Sequence, residues 1–121
     1  MFSLSTDNKG NKLIITVKDY FDLQQAEQFY AELAKNIPKL KKGFIVLTDL
    51  SFLERMDMNA RMFIEKAMDL FNKHGVSRVI RIIPDQGKDI GFNIMSLFHY
   101  SAGVAIHTYK SYQEAESILH K

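Results

Sequence analysis

Cysteine is absent from this 121-residue chain. That excludes disulfides, thiolate zinc centres and cysteine nucleophiles, and it suits a reducing cytoplasm, where we expect the protein to reside. Proline occurs twice and glycine six times. No low-complexity linker is built from so few, and no glycine-rich loop is present to cradle a phosphate. Asp85-Gln86-Gly87-Lys88 reads as an ordinary turn. Neither charge sign dominates: 16 Lys and Arg against 14 Asp and Glu leave a net +2. That is too mild to imply a nucleic-acid partner. No apolar run approaches the roughly 20 residues of a membrane span. Met1-Phe2-Ser3-Leu4 leads into a short strand rather than a signal peptide. Nothing repeats.

What is present is the composition of a soluble globular protein, 46% hydrophobic and 25% charged. The length predicts one domain over residues 1–121. Residues 2–5 and 12–17 read as short strands around the turn residues 7–11, an antiparallel hairpin. Asp22-Leu23-Gln24-Gln25 is a capping box. Behind it Leu23, Ala26, Tyr30, Leu33, Ala34 and Ile37 form one helical stripe, stopped by Pro38. Strands are predicted over 43–49, 76–83 and 104–109, and helices over 58–74 and 88–100. Ser111-Tyr112-Gln113-Glu114 opens a last helix with Ala115, Ile118 and Leu119 inward. Strand–helix alternation at this spacing predicts an α/β fold, a mostly parallel mixed sheet entered by the hairpin.

The stretch from Gly43 to Ala60 carries the most information. Gly43-Phe44-Ile45-Val46-Leu47-Thr48-Asp49 is an apolar run ending in a carboxylate, the pattern of a strand buried on both faces. Asp57 follows eight residues later, before Met58-Asn59-Ala60 and a helical pattern. The reading places two carboxylates and a helix N-terminus on the edge where open α/β sheets hold their sites. Paired carboxylates bind metals or divide acid and base roles. Asp57, however, is placed to cap its helix, and Asp49 to cap the intervening loop, so we expect neither metal nor catalysis. Helix N-termini attract phosphate, but Asp22, Asp57, Asp85 and Asp89, with Glu54 nearby, oppose it, so no cofactor is expected. The histidines are scattered: His74 and His120 near helix ends, His107 in a strand. Ser96, His99 and Ser101 share a helix without a discernible Asp partner.

Val46-Leu47-Thr48-Asp49-Leu50-Ser51, followed by Asp57-Met58-Asn59-Ala60 opening an amphipathic helix, resembles the STAS domain of anti-sigma-factor antagonists and sulphate-transporter tails. Ser111-Tyr112-Gln113-Glu114-Ala115 is similar to that family's closing Ser-x-x-Glu-Ala. The resemblance implies the fold and a partner-docking surface on the loop and helix around Asp57. It also implies a phosphorylated serine just after that Asp. Met58 and Asn59 stand at those positions, and neither accepts phosphate nor imitates its charge.

The helical pattern after Asp57 has a core face of Ala60, Phe63, Ile64, Ala67, Leu70 and Phe71. Met58 and Met62 fall opposite, among Arg61, Glu65, Lys66 and Asp69. The helix after Pro84 has a core stripe of Ile90, Ile94, Leu97 and Phe98 and a second line of Phe92, Met95 and His99, for burial within the domain or in a homodimer. The basic run Lys39-Leu40-Lys41-Lys42 reads as a solvated loop beside a helix end. The expected function is therefore a non-enzymatic regulatory domain. It would bind a protein partner through Asp49, Asp57, Met58, Asn59, Arg61 and Met62. The alternative is a carrier holding an apolar small molecule or lipid between Tyr20-Phe21, Phe52-Leu53 and Pro84-Asp85.

Overall fold

Apolar residues that alternate along a strand on one face and fill both faces on another dictate a sheet covered unequally on its two sides. The computed structural model describes residues 1–84, 100–101 and 103–119, the last three by backbone alone. Strands β1 (Phe2–Asp7) and β2 (Lys12–Phe21) pair antiparallel, with Phe2 opposite Val17 and Asp7 opposite Lys12. The Asp7 carboxylate accepts from the backbone N–H groups of Lys9 and Gly10 at 3.1 and 3.2 Å, which closes the turn. Strands β3 (Ile45–Met56), β4 (Arg78–Ile82) and β5 (Ala105–Tyr109) follow, each parallel to its predecessor. The sheet order is β1-β2-β3-β4-β5.

The steps from β2 to β3 and from β3 to β4 move the same way across the sheet, so right-handed crossovers bring their two helices to one face. There α1 (Leu23–Asn36) and α2 (Arg61–Lys73) cover the main core. Leu13, Ile15, Val17, Val46 and Val79 of the sheet meet Ala26, Phe29, Leu33, Ala67 and Phe71. Phe2, Phe21 and Phe29 pack edge to face with centroids 5.6–6.4 Å apart. On the other face Leu47, Ile80 and Ile82 meet Ala115 of α3 (Tyr112–Leu119). Both helix starts read as capping boxes are capped. Asp22 accepts from the Gln25 N–H at 2.8 Å, and Ser111 Oγ from that of Glu114 at 3.2 Å. Glu114 reaches back to the Lys110 N–H at 3.1 Å. Gln25 does not reciprocate; its Oε1 is buried without a partner among the described residues.

Several boundaries differ from expectation. The hairpin strands are longer than 2–5 and 12–17. In α1 the buried stripe runs Ala26, Phe29, Leu33 and on to Ile37, while Ala34 is exposed. Phe29 takes the place assigned to Tyr30 because it completes the aromatic cluster with Phe2 and Phe21. The largest correction concerns β3, which does not stop at Asp49 but continues to Met56. The predicted helix over 88–100, with Phe92, Met95 and His99, lies outside the described residues except for Tyr100.

Candidate functional site

Strand β3 overruns because β2 overruns with it. Strand β1 begins opposite Val17 and β4 ends opposite Asp49, so beyond these points β2 and β3 have each other as strand partners. Residues 18–21 pair with 52–56 as a two-stranded ribbon, with register shifts between Thr16 and Lys18 and between Asp19 and Tyr20. Asp19 takes a left-handed φ of 58° at the second shift, a conformation that Asp tolerates better than most residues. Such irregularities re-aim side chains. The Asp57 N–H then donates to the Phe21 carbonyl at 2.9 Å, closing the ribbon onto a 3₁₀ turn, Met58–Ala60, that runs into α2.

On this ribbon cations sit over aromatic rings across the ladder. The Arg55 guanidinium lies 4.5 Å from the Tyr20 centroid, and Lys18 Nζ lies 5.8 Å from that of Phe52. Both rings are exposed, Phe52 by 64% and Tyr20 by 38%. Met58 is 88% exposed and Met62 51%. Thus four of the six large exposed hydrophobic residues among those described belong to the ribbon and the start of α2. Arg61 faces Glu65 at 4.0 Å, an exposed pair one turn apart that adds little stability.

The Asp57 carboxylate works locally. Its Oδ1 accepts from the Asn59 N–H at 2.9 Å, and its Oδ2 accepts from the Tyr20 hydroxyl at 3.4 Å. The expected cap is present on the 3₁₀ turn, while α2 itself begins behind Ala60 with no side-chain cap. Asp49 is elsewhere: half-buried in mid-strand between Thr16 and Ile82, its Oδ1 accepting from the Ser51 N–H at 3.0 Å. At about 3.3 Å per strand residue, β3 carries Asp49 and Asp57 on the order of 25 Å apart. The expectation of two carboxylates on one edge fails, and with it any site needing both. No cluster of three metal-ligating side chains occurs among the described residues. Met58, Asn59, Arg61 and Met62 do lie together with Asp57 at the start of α2, as expected. The apolar ledge expected from Tyr20-Phe21 and Phe52-Leu53 is split. Phe21 and Leu53 are buried in the core, Tyr20 and Phe52 point outward, and Asp85 lies outside the described residues.

A cavity of about 50 Å³ lies deeper, between α2 and the sheet, lined by Val17, Leu50, Met56, Met68, Arg81 and Tyr100 among others. That is the volume of one or two water molecules and much less than a lipid chain needs. Arg81 is only 3% exposed. Burial holds the Tyr100 hydroxyl well above the usual phenol range, opposed by the Arg81 charge and reinforced by Asp69. Sequence reasoning passed over Lys18, Arg55 and Arg81. Their roles depend on register, which periodicity does not supply across a bulge.

No protein-family model and no curated protein matches the sequence. Solved structures do match. An uncharacterized protein from Shewanella loihica PV-4 with a SpoIIAA-like fold aligns at TM-score 0.75 and 12% identity, covering 98% of this chain and 93% of that one. The anti-sigma factor antagonist SpoIIAA in its unphosphorylated form aligns at TM-score 0.70 and 16% identity, over 99% and 98%. The chain has a STAS-like fold. An anti-sigma factor antagonist from Mycobacterium paratuberculosis shares this fold at TM-score 0.61 and 11% identity, over 100% and 96%. In the STAS-like frame of this chain, the ribbon and the Asp57-capped 3₁₀ turn lie at the sheet end where β3 passes into α2. No helix among the described residues is long and apolar enough to cross a membrane.

Proposed function

We propose that residues 1–121 form one STAS-like regulatory domain without catalytic activity. It binds a protein partner through the start of α2, at Asp57, Met58, Asn59, Arg61 and Met62, with Tyr20 and Phe52 extending the surface along the ribbon. The observation that carries this reading is the concentration of exposed apolar side chains there, with Met58 at 88% exposure. Each would release roughly 1.5–3 kcal/mol on full burial, and methionine adapts readily to a partner's shape. The three likenesses to SpoIIAA-type structures support a regulatory role, two of them to proteins named as anti-sigma factor antagonists.

The domain works without a phosphoserine switch at this site, since no hydroxyl occurs between Asp57 and Ala60. Ser51, the nearest serine, is half-buried in β3, a poor substrate position for a kinase. Asp49 supports the chain locally and takes no part in docking. Affinity capture from host lysate with the wild type and Met62→Glu tests the proposal. We expect a discrete captured protein with the wild type and its loss with the variant; equal capture by both would refute the assigned surface.

A further inference from the structure

The opposite end of the sheet, where the parallel strands begin, gathers charge of one sign. The hairpin turn brings Lys9 and Lys12. The link after α1 brings Lys39, Lys41 and Lys42, behind Lys35 in the last turn of the helix. The link after α2 brings Lys73 and Arg78. Hydrogen bonds tie these segments into one surface. Asn11 Nδ2 donates to the Lys41 carbonyl at 3.0 Å, and the Lys41 N–H donates to Asn11 Oδ1 at 2.9 Å. The Gly43 N–H donates to the Gly75 carbonyl at 2.7 Å, and Ser77 Oγ to that of Gly43 at 2.6 Å. The Ser101 N–H donates to Asn72 Oδ1 at 2.9 Å, which joins the start of β5 to the same end.

Eight of the chain's 16 lysines and arginines thus gather at this end against three of its 14 acids: Asp7 in the turn, Glu32 one turn before Lys35 and Asp69 one turn before Lys73. The rest of the chain is net negative although the whole is +2. Helix dipoles account for part of this: Lys35 and Lys73 lie in the last turns of α1 and α2. Lys39 likewise lies in the last turn of a short 3₁₀ helix and donates to Asn36 Oδ1 at 3.2 Å, which leaves five cations away from any helix end. All six lysines Lys9, Lys35, Lys39, Lys41, Lys42 and Lys73 are exposed.

We propose that this end is a docking surface for an anionic lipid membrane. Two features select that partner among polyanions. The cations are lysines with a single arginine, point charges rather than the bidentate forks that read bases or phosphates specifically. None of the exposed aromatic residues among those described, Tyr20, Phe52 and Tyr112, stands among them to stack on bases, and Tyr30 beside Lys73 is half-buried. A diffuse anionic surface asks only for clustered positive charge, and a cluster of this size suffices for peripheral attachment without a membrane span. The surface lies at the other end of the sheet from Met58 and Met62, so it holds or fails independently of the partner proposal.

The test is co-sedimentation of the full chain with vesicles of phosphatidylcholine alone or with about one-third phosphatidylserine, in low and near-molar salt. Binding is expected to the anionic vesicles only. It should vanish at high salt, where the screening length falls to about 3 Å. Each lysine near the surface is worth on the order of five-fold in partitioning. Lys39→Glu/Lys41→Glu/Lys42→Glu should therefore weaken binding at least about 100-fold, while Lys18→Glu/Lys110→Glu, at the far end, should weaken it by less than about five-fold. Retention of the native circular dichroism shows that the variants fold. Absence of binding to anionic vesicles at low salt overturns the proposal, as does equal loss in both variants. Binding to a 20-base-pair DNA duplex in place of the vesicles overturns it in favour of nucleic acid.

Discussion

Replacing Asp57 probes the junction on which the candidate site rests. Asp57→Ala removes the acceptor for the Asn59 N–H at 2.9 Å and leaves one donor at the helix start to water. Losing an N-cap costs about 0.5–2 kcal/mol. The Tyr20 hydroxyl bond to the same carboxylate is exposed and long at 3.4 Å, so its loss adds no more than a few tenths. The total is about 0.5–2 kcal/mol, or a fall in Tm of roughly 2–8 °C for a chain of this size. Asp57→Asn keeps a side-chain oxygen in the cap and gives up the favourable interaction of a negative charge with the helix start, about 0.3–1 kcal/mol. Urea unfolding followed by circular dichroism measures both, with stability read at constant m. The reasoning fails if Asp57→Ala is neutral within about 0.3 kcal/mol, or if Asn is as damaging as Ala.

Four further outcomes are expected. Phe21→Ala, at the centre of the aromatic cluster, should cost about 3–5 kcal/mol by denaturant titration, whereas Phe52→Ala should stay within about 0.5 kcal/mol despite removing an equal ring. Gly75→Ala should destabilise more than Gly43→Ala. Both hold φ near +90°, but a Cβ at Gly75 would meet Lys42 Cγ at 2.6 Å, while one at Gly43 meets nothing within 4 Å; calorimetric Tm values compare them. Alkaline titration at 295 nm should leave Tyr100 protonated at pH values where a free phenol has ionised, a difference found by comparison with Tyr100→Phe. Because its folded pKa lies above the unfolded value of 10.0, this stabilisation is intact below pH 10 and declines as pH rises above it; a stability flat from pH 9 to 12 would contradict the assignment.

The fold was legible wherever pattern and geometry share a period. The capping residues Asp22 and Ser111 do cap, Gly75 ends α2 with a left-handed φ of 88°, and the apolar runs after Gly43 and Gly75 become the central parallel strands. The site was half legible. Met58 and Met62 were predicted to face away from the core and do so. The second half of β3 was read as a loop because Leu50 and Leu53, both buried, stand three residues apart. Only a register shift lets a strand bury positions at that spacing, and a period-two reading rejects it. With β3 cut short, Asp49 was put at an edge that lies at Met56, and the pairs Lys18–Phe52 and Arg55–Tyr20 could not be foreseen. Phe29 was missed for a different reason. A helical stripe is about 100° wide, and tertiary aromatic contacts decide which of two adjacent aromatic residues turns inward.

The central claim, that a partner docks on the exposed start of α2, is tested most directly by photo-crosslinking in the native host from a benzophenone side chain placed at position 58, with position 110 as control. The account predicts one discrete crosslinked protein species from position 58 and none from position 110. No crosslink from position 58, or the same species from both positions, would contradict it.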